Sequence, residues 1–258
     1  MFSAIVADLD GTIYRGDSPI PGAIETFEQL RDRGLEVCFF SNNPTRSRRA
    51  YAQRLREMGI QAAPSEILSA GTVTTTFLRR HHATDPIYVV GDPGLVTLIE
   101  DAGLTVTEAP ERAVVLVSSW TDQFDYEQLA RAYRAGQGET VFLGTDPDML
   151  IPAAGGRLQP GSGAITHAIA GVLDRAPDRV LGKPSSEAVR MVRETLDSDL
   201  EDCLIVGDRL DTDIQLGERA GMSTAVVETG IAADRAETRV DPQPDHTLGS
   251  IGELPSLL

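Results

Sequence analysis

Lysine is almost absent from this sequence. Of its 258 residues 23 are basic, and Lys183 is the only lysine among them. Acidic residues number 39, which gives a formal net charge of −16. Such a charge repels a phosphate backbone and argues against nucleic-acid binding. An acidic surface with arginine in place of lysine predicts a halophilic protein, one that stays soluble in concentrated salt, and it marks position 183 as one that needs an ammonium group.

Cysteine and long apolar runs are also scarce. Cys38 and Cys203 lie in apolar, strand-like runs far apart in the sequence, which favours two buried, reduced thiols over a disulfide or a metal site. No apolar stretch approaches the about 20 residues that a membrane span requires. The N-terminus lacks the basic and cleavable apolar regions of a secretory signal. We therefore expect a cytoplasmic protein with no membrane partner.

Strand-like and helix-like segments alternate along the chain. SAIVA at 3–7 is a short apolar run typical of a strand buried on both faces. A helical period follows and ends at Gly34, after which the strand LEVCFF at 35–40 and a second helix repeat the pattern. Further strand-like runs occur at 87–91, 114–119, 140–145, 202–208 and 223–229, and the sequence after them is polar with little periodicity. This order predicts an α/β fold with a doubly wound, Rossmann-like parallel sheet and crossover helices.

Polar residues follow several of the predicted strands. In chain order these motif residues are Asp8, Asp10, Gly11, Thr12, Ser41, Asn42, Asn43, Lys183, Asp208 and Asp213. Ligands of open parallel sheets bind outside the carboxyl ends of the strands, so we expect these residues to meet in one place. Each motif alone has a plain alternative, since paired aspartates at a strand end arise by chance and Ser-Asn-Asn is good turn chemistry.

Taken together, DLDGT, SNN, GKP and GDRLDTD resemble the four motifs of the haloacid dehalogenase-like (HAD) hydrolase superfamily. The longer strings DLDGTIYRGDSPIPGA, SNNPTRSR and VGDRLDTDIQLGERAGM are similar to its NagD-like phosphatase branch. The resemblance implies a catalytic core at 1–81 and 178–258, interrupted by an α/β cap domain at 82–177 that selects the substrate. It also allows a homodimer through the cap.

The opening aspartates suit phosphoryl transfer. A carboxylate such as Asp8 can attack phosphorus and form an aspartyl-phosphate, and the resemblance implies the same role. This attack brings like charges together, so a cation is required, and Mg²⁺ prefers oxygen ligands. Asp8 and Asp208 supply carboxylates, and the family pattern adds the backbone carbonyl of Asp10 as a metal ligand. The side chain of Asp10 then remains for general acid and general base catalysis.

The resemblance also implies a set of substrate-binding residues. Ser41 and the neighbouring amides of Asn42 and Asn43 would bind phosphoryl oxygens, as the family's second motif does. The hydroxyl of Thr12 bonds either the phosphate or its own loop, and a turn-capping role fits equally well. In the cap, GTDPDMLIP is similar to the branch's substrate-facing segment, and Asp146 is the residue we expect to contact substrate.

Two further residues would support the nucleophile. Lys183 would hold the charges of Asp8 and the phosphate together with its compact ammonium group. Asp213 would position Lys183 or a metal-bound water, although a negative charge near a helix N-terminus is the competing explanation.

We therefore predict a Mg²⁺-dependent phosphatase for small phosphomonoesters, of the sugar phosphate, phosphoglycolate or nitrophenyl phosphate type. Two alternatives stay open at this point: a non-catalytic, receiver-like phosphoacceptor module and a phosphomutase. Receiver domains lack an aspartate two residues after the phosphoacceptor and carry no cap-sized insertion, so Asp10 favours turnover. The sequence does not choose among the substrates, because the cap makes that choice.

Overall fold

The computed structural model describes residues 2–153, 157–230 and 242–258. The chain divides into two compact units. The first unit comprises Met1–Ser41, Arg48–Leu68 and Lys183–Leu258, and the second unit comprises Asn42–Ser47 and Ser69–Gly182. The predicted cap at 82–177 lies inside the second unit, and its assignment as a cap stays a prediction. Part of the polar tail, 231–241, and the short segment 154–156 lie outside the described residues.

The strands in the described residues are, in chain order, β1 (Ala4–Ala7), β2 (Tyr14–Arg15), β3 (Ser18–Pro19), β4 (Glu36–Ser41), β5 (Ile67–Ser69), β6 (Ile87–Val90), β7 (Val115–Ser118), β8 (Val141–Gly144), β9 (Leu150–Pro152), β10 (Leu158–Pro160), β11 (Arg179–Val180), β12 (Cys203–Gly207), β13 (Ser223–Val227) and β14 (His246–Leu248). The α-helices are α1 (Ala23–Asp32), α2 (Arg48–Glu57), α3 (Ala70–His81), α4 (Pro93–Asp101), α5 (Tyr126–Ala135), α6 (Ser162–Leu173), α7 (Ser186–Thr195) and α8 (Gln215–Ala220). A π-helical turn, Leu210–Ile214, precedes α8.

A six-stranded sheet forms the centre of the first unit, in the order β14-β13-β12-β1-β4-β5. Strand β1 pairs in parallel with β12 on one side and with β4 on the other, and Ala7 lies opposite Val206 and Phe39. The three strands therefore end at nearly the same level. This places the residues that follow β1, β4 and β12 side by side at the carboxyl edge of the sheet.

The apolar pattern of the sequence explains the core of this unit. Every residue of β1 is fully buried, as the continuous run SAIVA predicts for a strand covered on both faces. Helix α1 buries Phe27 and Leu30 on the face that points to the sheet, and the ring of Phe27 lies 5.1 Å from that of Phe39. Burying one such side chain stabilises the fold by about 1.5–3 kcal/mol. The rigid core therefore fixes the strand ends.

The second unit contains a four-stranded sheet in the order β11-β8-β7-β6, with all three pairings parallel. Strands β9 and β10 form a separate antiparallel pair within the Pro- and Gly-rich segment. Leu116, Phe142 and Ile169 belong to the buried apolar core of this unit. The predicted α/β class with parallel sheets is thus confirmed in both units.

Two further expectations concern composition. Both cysteines, Cys38 and Cys203, are buried and free. Among the described residues, no helix has the length and hydropathy needed to cross a bilayer.

Candidate active site

Three buried aspartates lie together in the first unit. Asp8 directly follows β1, Asp208 directly follows β12, and Asp213 lies in the π-helical turn. Their exposed fractions are 8%, 2% and 0%, and one carboxylate oxygen of each lies within 4.8 Å of the others. Neighbouring parallel strands deliver the first two side chains, as the sequence predicts. The third comes from the turn that opens after β12.

Lys183 neutralises part of this cluster. Its side chain is only 1% exposed, and its Nζ lies 2.6 Å from Oδ1 of Asp8 and 2.6 Å from Oδ1 of Asp213. Nζ also donates a hydrogen bond of 2.8 Å to the carbonyl oxygen of Phe40. The three acceptors match the three protons of an ammonium group. The only lysine of the chain is therefore a buried member of the site, and a surface position is excluded.

Burial has the largest single effect on the pKa values of Asp8, Asp213 and Lys183. It raises the pKa of Asp8 and raises that of Asp213 to about 6, while the ammonium of Lys183 opposes both shifts. For Lys183, burial alone lowers the pKa, but Asp213 and Asp8 reverse the effect and the pKa is raised overall. The lysine is thus held as a cation, and the carboxylates around it need further positive charge to ionise together.

The loop after β1 curls back on itself. The amide of Gly11 donates to the carbonyl oxygen of Tyr14 at 2.9 Å, and Gly11 has a φ of +92°, which L side chains rarely adopt. A Cβ at this position would also lie 2.6 Å from Oδ2 of Asp208. The hydroxyl of Thr12, which is fully buried, donates to Oδ2 of Asp8 at 3.3 Å. Gly11 thus lets the loop pass close to the carboxylates, and Thr12 bonds the site itself.

Asp10 differs from the other aspartates because its side chain is exposed. The hydroxyl of Tyr14 donates to its Oδ2 at 3.4 Å. The sequence reasoning missed Tyr14, although its position four residues after Asp10 in a tight loop was a usable signal. An exposed carboxyl group beside a buried one fits an acid that reaches a bound substrate and then water.

Both oxygens of Asp213 bond to the protein. Oδ1 accepts from Lys183, and Oδ2 accepts the backbone N–H of Arg209 at 3.2 Å. A side chain at Gly207 would collide with this carboxylate. The geometry therefore favours the prediction that Asp213 positions Lys183 over the alternative that it only places a negative charge near a helix N-terminus.

The predicted substrate-binding residues fall in both units. Ser41 ends β4 in the first unit and is 3% exposed. Asn42, Asn43 and Asp146 belong to the second unit. Asn43 is exposed, and its Oδ1 accepts the amide and the hydroxyl of Thr45 at 3.0 and 2.8 Å. The side chain of Asn43 therefore supports a turn, the alternative that the sequence left open.

Asn42 and Asp146, both of the second unit, are buried, at 7% and 2% exposed. Nδ2 of Asn42 donates to Oδ1 of Asp148 at 3.4 Å. Oδ2 of Asp146 accepts the hydroxyl of Thr145 at 2.9 Å, and its Oδ1 accepts the amide of Asp148 at 3.2 Å. Asp148 was not singled out from the sequence, although it lies two residues after Asp146 in the string DPD.

The residues of the first unit fit a divalent cation. Asp8, Asp208 and Asp213 bring three carboxylates into a buried space that contains one ammonium group. Hard carboxylate oxygens are the ligands that Mg²⁺ prefers. A divalent cation would balance the two remaining negative charges of this set.

Comparison with known proteins agrees with the site. Models of the families "Haloacid dehalogenase-like hydrolase" and "HAD-hydrolase-like" match residues 5–105 and 180–254. An acid sugar phosphatase of Staphylococcus haemolyticus (strain JCSC1435) is 32% identical over 247 residues, 96% of this chain and 93% of the relative. This chain belongs to the haloacid dehalogenase-like hydrolase family. The HAD assignment from the four motifs is thereby confirmed.

Two solved structures are similar to this chain over nearly all of its length. The p-nitrophenyl phosphatase from Archaeoglobus fulgidus has a TM-score of 0.92 and 32% identity, with 100% of this chain and 99% of that chain covered. NagD from E. coli K-12 has a TM-score of 0.84 and 27% identity, with 98% of each chain covered. The NagD-like branch and the enzyme class, phosphoric monoester hydrolase, are confirmed.

Proposed function

We propose that this HAD hydrolase is a Mg²⁺-dependent phosphatase that hydrolyses small phosphomonoesters through an aspartyl-phosphate at Asp8. The observation that carries the proposal is the buried cluster in which Lys183 bonds Asp8 and Asp213 at 2.6 Å while Asp208 lies within 4.8 Å. The three carboxylates carry more negative charge than the ammonium group of Lys183 balances, which fits a site for a further cation.

Mg²⁺ would be held by the carboxylates of Asp8 and Asp208 and by the backbone carbonyl of Asp10. When bound, the ion supplies positive charge that lets a carboxylate approach an anionic phosphoryl group. Lys183 adds a fixed positive charge through its bond to Oδ1 of Asp8. Asp213 keeps that ammonium in place, which is a positioning role.

The chain's own residues then divide the reaction into two steps. In the first, an oxygen of Asp8 forms a bond to phosphorus, the ester P–O bond breaks, and Asp10 gives its proton to the leaving alcohol oxygen. In the second, Asp10 takes a proton from water, the water oxygen attacks the phosphorus, and the Asp8–phosphate bond breaks. Ser41 and the backbone amides next to it would bind the phosphoryl oxygens in both steps.

Sugar phosphates are the proposed substrate class. The relative from S. haemolyticus is named an acid sugar phosphatase, and the structure from A. fulgidus is named a p-nitrophenyl phosphatase. Both names describe small phosphomonoesters, which supports the same class for this chain. The second unit would act as the cap that selects the substrate.

A panel of phosphate esters tests the proposal. Purified protein is incubated with sugar phosphates, phosphoglycolate and p-nitrophenyl phosphate, with Mg²⁺ or with EDTA, and released phosphate is measured. We expect Mg²⁺-dependent release by the wild type and a loss of at least about 1,000-fold for Asp8→Asn, because the nucleophile is removed. Asp10→Asn should form the acyl-phosphate slowly and release phosphate slowly. Asp32→Asn, which changes an exposed residue at the end of α1, is the matched control.

Three outcomes would contradict the proposal. Full turnover by Asp8→Asn would exclude that residue as the nucleophile. A stable phosphoprotein without released phosphate would indicate a receiver-like module. Conversion of a sugar phosphate to its isomer, with no free phosphate, would indicate a phosphomutase.

A further inference from the structure

A second pair of buried carboxyl groups lies outside the proposed catalytic centre. Asp146 and Asp148 follow β8 in the second unit and are 2% and 9% exposed. The amide of Asp148 donates to Oδ1 of Asp146, and the hydroxyl of Thr145 donates to Oδ2 of Asp146. Neither the nucleophile nor the acid of the reaction requires this pair. Two carboxyl groups that are kept buried so close together need a reason.

Asp148 bonds the residue that follows Ser41. Its Oδ1 accepts a hydrogen bond of 3.4 Å from Nδ2 of Asn42, and Asn42 is itself 7% exposed. The chain leaves the first unit after Ser41 and enters the second unit at Asn42. Asn42 is therefore anchored inside the second unit, one peptide bond from a proposed phosphate-binding residue.

The same group of atoms packs around Gly182. A Cβ at this position would lie 2.7 Å from Oδ1 of Asn42, 2.8 Å from the carbonyl oxygen of Thr145 and 3.1 Å from Cβ of Asp146. The amide of Gly182 donates to the carbonyl oxygen of Thr145 at 2.7 Å. The chain returns to the first unit directly after Gly182, at Lys183. Only glycine fits between these groups, so the position of Gly182 is tightly defined.

We propose that Asp148, supported by Asp146, is a positioning residue that fixes the side chain of Asn42. The side chain of Asn42 in turn fixes Gly182. These two residues are the immediate chain neighbours of Ser41 and Lys183, which the proposed function places at the phosphate. The inference rests on that proposed function. It assigns Asp146 a structural contact with Asp148 in place of the contact with substrate that the sequence suggested.

The electrostatics of Asp146 agree with two carboxyl groups held close together. Burial raises the pKa of Asp146 to about 7, and the negative charge of Asp148 adds to the rise.

Exchange of the Asn42 and Asp148 side chains provides the test. The variants are Asn42→Asp, Asp148→Asn and the double variant, which restores an amide–carboxylate bond with its direction reversed. Asn42→Asp opposes two carboxylates and should lower kcat by about 100-fold, since small displacements at a reacting centre have effects of this size. The double variant should recover at least about 10-fold of that loss. Asp122→Asn, an exposed change in the same unit, is the control.

The kinetic constants separate positioning from substrate contact. A positioning role predicts lower kcat with a smaller change in KM, and a weaker inhibition by inorganic phosphate that recovers in the double variant. If the side chain of Asn42 bound substrate directly, KM would rise with kcat unchanged and the double variant would not restore it. Circular dichroism and thermal melting establish that each variant is folded, and the double variant keeps the test valid should Asn42→Asp fail to fold.

The results also separate this inference from the proposed function. No phosphate release by the wild type, or full activity of Asp8→Asn, would refute the proposed function. If activity depends on Asp8 as expected but the effects of Asn42→Asp and Asp148→Asn are additive, the positioning role of Asp148 is refuted and the proposed function is not.

Discussion

Lys183 and Asp213 form a buried ion pair, with Nζ 2.6 Å from Oδ1 and side chains that are each only 1% exposed. The two residues are 30 positions apart, and Asp8 shares the same ammonium group. A buried pair costs desolvation free energy, and removal of one partner leaves an unpaired charge. The pair therefore links the stability of the first unit to the proposed catalytic centre.

Lys183→Met should destabilise the protein and abolish activity. In metal-free buffer the free energy of unfolding should fall by about 3–5 kcal/mol, because Asp8 and Asp213 lose their common cation. Urea denaturation followed by circular dichroism measures the change. The double variant Lys183→Met/Asp213→Asn should regain part of the stability and none of the activity. Equal stability of the single and double variants would contradict the ion-pair account.

Mg²⁺ should stabilise the folded protein through Asp208. Protein treated with EDTA should show a higher melting temperature when Mg²⁺ is added, since a ligand that binds only the folded state stabilises it. Asp208→Asn should lose most of this shift in differential scanning calorimetry. Asp211→Asn lies three residues away with a side chain 55% exposed, and it should keep the shift. A shift that persists in Asp208→Asn would place the ion elsewhere.

Gly11→Ala should damage activity far more than stability. The alanine must adopt a φ of +92°, which costs about 1–2 kcal/mol, and its Cβ must share space with Oδ2 of Asp208. Gly34 has a φ of +74°, and no atom of the described residues, apart from Gly34 itself and its two chain neighbours, lies within 4 Å of the point that a Cβ would occupy. Gly34→Ala therefore has only the cost of the backbone conformation. We expect similar losses of stability and a loss of kcat of about 100-fold only for Gly11→Ala. Equal kcat values in both variants would contradict the close approach.

The pH dependence of stability should depend on Asp146. Its pKa is raised from 3.8 to about 7, so the folded state binds more protons than the unfolded state between these values. The contribution of Asp146 to the free energy of unfolding is therefore complete below about pH 4 and is lost as the pH rises through about 7. This contribution is at most about 4 kcal/mol. Relative to Asp146→Asn, the wild type should lose stability between pH 5 and pH 8 in urea titrations. A constant difference between the two proteins would contradict the raised pKa.

Salt should stabilise the protein strongly. With a net charge of −16, self-repulsion destabilises the folded state at low ionic strength. Screening shortens the Debye length from about 10 Å at 0.1 M to about 3 Å at 1 M salt. We expect a higher melting temperature and higher activity in molar KCl than in dilute buffer. Activity that peaks without salt would refute the halophilic interpretation.

The sequence predicted the sheet well because apolar runs and helical periods are local patterns that repeat along the chain. The run SAIVA corresponds to β1, and the apolar period after it corresponds to α1. Asp8 and Asp208 could be assigned to one edge of the sheet because parallel strands deliver their carboxyl ends together. The contact between Lys183 and Asp8, 175 residues apart, was expected from the positions of their motifs, from the scarcity of lysine and from the resemblance to a family.

Other elements carried no readable pattern. Helix α3 contains three consecutive threonines, Thr74, Thr75 and Thr76, which favour strands, and the interior of the fold overrides that preference. Strand β14, His246–Leu248, has only three residues in a polar tail, and it forms by pairing with β13. The bond between Asn42 and Asp148 joins residues 106 positions apart, and no local pattern encodes it.

The burial of Lys183 has a practical consequence for chemical labelling. Reagents that acylate ε-amino groups will find the only lysine of the chain closed off in the folded protein, at 1% exposed. Acylation of that side chain would then require opening of the first unit, and its rate would follow the opening rate when acylation is faster than reclosing. An acyl group located on Lys183 by peptide mass spectrometry would therefore report opening of the proposed catalytic centre.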